Sequence, residues 1–183
     1  MKRALILHGI FGKAGENWGQ WLHDQLMMQG YDVAMPTLPG PDHPDRAQWL
    51  AAIRHYAGGD AQDLTIVAHS LGVASALDYI EQSNTLVNAL VSVAGFSDDY
   101  GAEINSYFMR SKGVDFDKVN RQLRRAAVLY GDDDPYVPRA SFQALADALH
   151  VRPVVIRGGG HLNEAAGYGV FPLLLETIGS IAA

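Results

Sequence analysis

At 183 residues, with 48% hydrophobic and 19% charged residues, the chain is long enough to bury one substantial core and reads as one domain over residues 1–183. Its formal net charge of −6 leaves no basic footprint for a phosphate backbone or an anionic membrane surface, so neither nucleic acid nor membrane is an expected partner. Cysteine is absent, which excludes disulfides and thiolate metal sites, and nothing marks an oxidising compartment.

The chain opens with Met1-Lys2-Arg3 and an apolar run over residues 4–7 that stops at His8-Gly9. No small-residue cleavage site follows, so this is read as a first strand rather than a leader. Helix-spaced Trp18, Trp21, Leu22 and Leu26 precede Gly30, a second apolar run covers 32–35, and Trp49, Leu50, Ile53 and Tyr56 precede Gly58-Gly59. Both glycine stops sit where a helix ends. Further apolar runs at 64–68, 86–94, 126–130 and 151–156 are rich in Val, Leu and Ile without polar alternation, the pattern of strands buried on both faces. Between them, Val73, Leu77 and Ile80 share one helical face, Phe142, Leu145, Ala146 and Leu149 another, and 170–181 forms a last helix with Pro172 in its first turn. Strand and helix alternate except over residues 95–125, where Asp98-Asp99 and Tyr100-Gly101 signal a loop before a weakly amphipathic stretch too short for a cap domain. Such alternation predicts six parallel strands with right-handed crossovers and helices on both faces. No apolar stretch approaches the roughly 18 residues of a membrane span, and the cytoplasm is the expected location.

The segment Leu64-Thr65-Ile66-Val67-Ala68-His69-Ser70-Leu71-Gly72-Val73 is a strand that meets a tight turn and becomes a helix, with Ser70 at the apex. A Gly-x-Ser-x-Gly turn holds its serine outward in this context because small residues on either side let strand and helix approach. Ala68 takes the place of the first glycine, adding one methyl. The bland alternative is that Ser70 merely caps the helix. His69 is read as structural, because adjacent side chains on such a turn point to different sides.

A serine hydroxyl becomes nucleophilic when a histidine takes its proton and a carboxylate holds that histidine's tautomer. After the fifth strand comes Gly131-Asp132-Asp133-Asp134-Pro135-Tyr136-Val137-Pro138, at a strand end where open α/β sheets bind ligands. Asp and Pro also suit a solvated turn; the functional reading prefers Asp134, whose backbone Pro135 restricts. After the sixth strand, Gly158-Gly159-Gly160 carries His161, and this triple glycine has no packing role visible in the sequence. The order serine, acid, histidine is that of the strand–turn–helix hydrolases. Their second oxyanion donor is a backbone N–H after the first strand, here Ile10 or alternatively Phe11, alongside Leu71 N–H. Walker spacing is absent around Lys13, and no histidine pair with a carboxylate is helix-spaced, so neither a nucleotide cofactor nor a metal is expected.

Taken together, His8-Gly9, Ala68-His69-Ser70-Leu71-Gly72, Asp134-Pro135-Tyr136-Val137-Pro138 and Gly160-His161 resemble the small serine hydrolases related to retinoblastoma-binding protein nine. Trp18, Trp21, Pro36-Thr37-Leu38-Pro39 and Trp49 add to the likeness, which spans nearly the whole chain. The resemblance implies an α/β-hydrolase fold without a large lid, as a three-layer sandwich with strand order 2-1-3-4-5-6. It also implies Ser70, Asp134 and His161 as catalytic residues of a carboxylesterase-like enzyme acting on a small acyl substrate. Phe11, Trp18, Phe96 and Tyr136 are expected to line an acyl pocket, and Tyr100, Tyr107 and Phe108 to shape its mouth or a dimer contact. Two rival readings are a non-catalytic module that docks a protein partner, and an amidase or thioesterase with the same three residues.

Overall fold

The computed structural model describes residues 1–182. Six strands, β1 (Arg3–Leu7), β2 (Asp32–Ala34), β3 (Leu64–His69), β4 (Val87–Val93), β5 (Leu123–Gly131) and β6 (Val154–Ile156), form one sheet in the order β2-β1-β3-β4-β5-β6. Every neighbouring pair is parallel. The chain leaves β1 toward β2 on one side and returns to β3 on the other, so the loops after β1 and β3 diverge and leave a crevice at the strands' carboxyl ends. Leu7 pairs with Ala68, which brings those two loops out at the same level.

Alternation along β1 shows how the two faces are filled. Leu5 and Leu7 enter one core with Trp49 and Ile53 of α2 (Arg46–Ala57), Leu77 and Ile80 of α3 (Gly72–Glu81), and Phe142 and Leu145 of α6 (Arg139–Ala148). Ala4 and Ile6 enter the other with Leu22 and Leu26 of α1 (Gly19–Met28) and Leu174 and Ile178 of α7 (Pro172–Ile181). This is the expected three-layer sandwich. The expectation that all six runs are buried on both faces holds only for the central strands. β2 and β6 are three-residue edges, and Val154 and Val155 are exposed. β6 starts later than the apolar run at 151 because Val151 N–H closes the end of α6 on the Ala146 carbonyl, and Pro153 has no N–H for a ladder. No helix among the described residues is long and apolar enough to cross a membrane.

The irregular stretch after β4 contains two short helices, α4 (Ser106–Arg110) and α5 (Phe116–Gln122), the latter running straight into β5. One buried guanidinium fastens this stretch to the sandwich. Arg46 makes a bidentate pair with Asp78 on α3, at 2.6 and 3.0 Å, and donates to the carbonyls of Phe108 at 3.1 Å and Lys112 at 2.6 Å. Lys112 Nζ closes the cluster on Asp78 at 3.1 Å and Glu81 at 2.5 Å. A buried ion pair of this kind repays its desolvation only when further hydrogen bonds satisfy its donors, and here every nitrogen of the guanidinium has an acceptor.

Candidate active site

β3 ends at His69, and the next residue turns the chain. Ser70 sits in the left-handed region at φ +52°, rare for a non-glycine, while its N–H still pairs with the Val93 carbonyl at 3.0 Å. The turn is tight because α3 starts immediately: a Cβ at Gly72 would lie 2.4 Å from the His8 carbonyl oxygen. Ala68 fits at the position before the turn and is fully buried. The N-cap of α3 is Leu71 rather than Ser70. Ser70 Oγ lies 3.0 Å from His161 Nε2, so the helix-cap reading does not describe it.

The carboxylate side is built by three consecutive aspartates that all engage the glycine loop. Asp132 accepts from Gly158 N–H at 2.8 Å, Asp133 from Gly160 N–H at 2.7 Å, and Asp134 Oδ2 meets His161 Nδ1 at 2.7 Å. Asp134 Oδ1 accepts from the N–H groups of Tyr136 and Val137, at 2.8 and 3.0 Å, which fixes the carboxylate's orientation. The triple glycine thus has a packing role after all. Gly158 and Gly160 are left-handed, at φ +64° and +53°, and a Cβ at Gly131 would come within 2.3 Å of the Gly160 oxygen. Only bare backbone passes here.

Two further histidines set the surroundings. His69 donates from Nε2 to the His161 carbonyl at 2.9 Å, the structural role expected of it. Burial, aided by the adjacent His161 ring, lowers its pKa to about 3. His8 Nε2 accepts the Leu38 N–H at 2.8 Å, so its proton resides on Nδ1 and is given to the Gly9 carbonyl at 2.7 Å. Burial lowers the His8 pKa as well. The turn held this way abuts the serine: a Cβ on Gly9 would lie 3.0 Å from Ser70 Cβ and 3.6 Å from Leu71 N. Among the described residues, neither Ile10 N–H nor Leu71 N–H has an acceptor, whereas Phe11 N–H is committed to the Pro41 carbonyl at 2.8 Å. Of the two candidate donors in this loop, Ile10 is the free one.

A cavity of about 350 Å³ opens beside Ser70 and His161. Phe11 and Tyr136 line it, as expected; Trp18 and Phe96 do not. Trp18 is buried with its indole N–H given to the Leu162 carbonyl at 3.0 Å, so it braces the residue after His161. Phe96 is buried in the core, edge-on to Tyr100, and it is Tyr100 that reaches the cavity. Phe108 is likewise buried, and Tyr107 stacks on His43 away from this cavity. Ile104, Asn105 and Asn163 line it without having been singled out in the sequence. They carry no motif, and only the folding of the stretch after β4 and of the histidine loop brings them over the sheet. Among the described residues no group of three or more His, Asp or Glu side chains is arranged to hold a metal ion.

The arrangement can polarise a hydroxyl through an imidazole whose tautomer a carboxylate fixes, next to two unused N–H donors. Comparison with known proteins agrees with that chemistry at the level of family. YdeN of Bacillus subtilis (strain 168) is 24% identical over 181 residues, covering 98% of this chain and 95% of YdeN. The serine hydrolase RBBP9 of Rattus norvegicus is 26% identical over 168 residues, 88% of each chain. The crystal structure of the ydeN gene product superposes with a TM-score of 0.92 at 24% identity, over 99% of this chain and 98% of that one. A Xanthomonas campestris pv. campestris structure assigned to the alpha/beta superfamily of hydrolases gives 0.68 at 15% identity, over 98% and 99%. The serine hydrolase family model matches residues 4–180, and the chain belongs to that family, on an α/β-hydrolase fold.

Proposed function

We propose that this hydrolase cleaves small carboxylic esters through an acyl-enzyme on Ser70. The observation that carries the reading is the hydrogen-bonded chain Ser70 Oγ, His161 Nε2, His161 Nδ1, Asp134 Oδ2, with links of 3.0 and 2.7 Å at the edge of the cavity. Ser70 Oγ attacks the ester carbonyl carbon while its proton passes to His161 Nε2, and Asp134 stabilises the imidazolium so formed. Negative charge on the carbonyl oxygen is received by the N–H groups of Ile10 and Leu71; one such donor is worth on the order of 100-fold or more in rate. His161 returns the proton to the departing alkoxide. A water then gives a proton to His161 as it attacks the acyl carbon, and His161 passes that proton to Ser70 Oγ as the carboxylic acid leaves, restoring the hydroxyl.

Neutral surroundings support the proton's destination: with His69 and His8 uncharged near pH 7, no second cation opposes protonation of His161. Esters are placed ahead of amides because an alkoxide leaves more readily than an amide nitrogen. The test is fluorophosphonate labelling of wild type and Ser70→Ala, read by intact mass. One adduct on wild type and none on the variant is expected; folded wild type that stays unlabelled would overturn the reading. A matched ester, thioester and anilide panel then ranks the leaving groups.

A further inference from the structure

Five buried polar side-chain atoms have no hydrogen-bond partner among the described residues: Thr65 Oγ1, Ser75 Oγ, Ser92 Oγ, Asn105 Oδ1 and Tyr130 OH. Asn105 alone among these residues lines the cavity beside Ser70, and its oxygen alone belongs to an amide rather than a freely rotating hydroxyl. Asn105 is 2% exposed. It occupies the N-cap position of α4, where asparagine ordinarily accepts a helix N–H, yet its side chain makes no cap bond. The backbone there is already used, Asn105 N–H bonding the Ala102 carbonyl and the Asn105 carbonyl receiving Met109 N–H. The side chain instead gives Nδ2 to the Tyr100 hydroxyl at 3.0 Å.

Tyr100 determines which end of the amide is left over. Burial, helped by the negative charges of Asp134 and Asp98, raises the pKa of its hydroxyl and holds it protonated. With Nδ2 given to the Tyr100 hydroxyl, Oδ1 is the end of the amide left without a partner. Leaving a buried acceptor unpaired is costly, and a bound donor removes that cost. The same cavity is lined by Phe11, Ile104 and Val137 and by the polar Glu16, Asn17 and Asn163, whose side-chain oxygens already accept backbone N–H groups.

We propose that Asn105 Oδ1 is a specificity point that accepts an N–H from the acyl part of the substrate, so that the preferred substrates are esters of N-acylated amino acids. This rests on the Ser70 reading for the position of the scissile ester and adds what lies beside it. The acyl part is chosen because it stays on the enzyme through both chemical steps, so its recognition serves acylation and deacylation alike.

Binding to the Ser70→Ala protein, followed by NMR titration, tests this apart from catalysis. The two ligands are N-acetylglycine methyl ester and methyl 4-oxopentanoate, which differ by replacement of the N–H with CH₂. The acetylglycine ester is expected to bind about tenfold more tightly, the span of one well-made hydrogen bond to a buried group. Adding Asn105→Leu is expected to bring the ratio near one. Adding Tyr100→Phe, which keeps the ring and serves if the leucine variant does not fold, shrinks the ratio by releasing the amide's orientation. Equal binding of the two esters to Ser70→Ala, or a preference that survives Asn105→Leu, overturns the proposal. Failure of wild type to react with fluorophosphonate would instead sink the nucleophile reading and leave this binding result standing.

Discussion

The turn that carries Ser70 and the loop that carries His161 meet across 3.0 Å, yet they handle the same backbone problem in opposite ways. Both need left-handed residues. At the first, the left-handed position is Ser70 itself, at φ +52°; at the second, the left-handed positions fall on Gly158 and Gly160 before the histidine and on Leu162, at φ +49°, after it, and leave the histidine out of it. A left-handed non-glycine residue costs about 1–2 kcal/mol that a glycine does not. The loop also has support from side chains, through Asp132 and Asp133, which the serine turn lacks. Strain is kept at Ser70, whose hydroxyl is required, and at Leu162, whose side chain is fully buried, and glycine removes it where only the path of the chain matters.

Ser70→Gly cuts this comparison most deeply. Ester hydrolysis is expected to fall on the order of 10⁵-fold, while the free energy of urea unfolding rises by about 1 kcal/mol as the left-handed strain is relieved; a loss of stability would mean that the turn is unstrained. Asp134→Asn keeps the bonds from Tyr136 and Val137 but disturbs the tautomer of His161, and kcat is expected to drop on the order of 10⁴-fold. A loss of less than tenfold would show that the histidine loop orients the ring unaided.

The third prediction concerns His69, which joins the two loops. It takes a proton near its ordinary value of 6.5 when unfolded but only at about 3 when folded. Between those values the unfolded chain binds more protons, so stability rises with pH through the window, is complete above it, and is lost as pH falls toward 3. Urea unfolding from pH 3 to 7 should show this slope, and His69→Asn should reduce it by up to about 1.4 kcal/mol per pH unit. Gly160→Ala comes next. It places a Cβ 3.0 Å from Ala166 Cβ at a left-handed residue and should cost about 1–2 kcal/mol in the same assay. Smallest of all, Asp133→Ala releases Gly160 N–H and should lower kcat about 3- to 10-fold with KM unchanged. No change would make that aspartate a solvated turn residue.

Much of this was legible in the chain. Strand runs between helical faces announce the sheet, and the order of Ser70, Asp134 and His161 along the sequence matches the order of the strand ends that bring them together. What the sequence hides is the direction in which a side chain leaves a loop. Trp18 and Phe96 both lie close to strand ends in sequence, but one turns its indole to Leu162 and the other sinks into the core, leaving Tyr100 at the cavity. The aspartate triplet and the glycine triplet each looked unexplained alone, because their explanation is mutual and spans two loops. Arg46 carried no signal in the chain, since an arginine in the first turn of a helix usually reaches into solvent; here it is buried on Asp78.

That arginine makes the wall over the cavity a detachable panel. Its partners in that panel are the backbone carbonyls of Phe108, Met109 and Lys112 and the ring of Phe108, none of which lines the cavity. The side chains at Tyr100, Ile104 and Asn105 are therefore free to change by mutation while the docking holds. One part of the cavity wall thus lies in a stretch apart from Ser70, Asp134 and His161 and is open to redesign on its own, whereas Phe11 and Tyr136 share loops with Ile10 and Asp134 and are not.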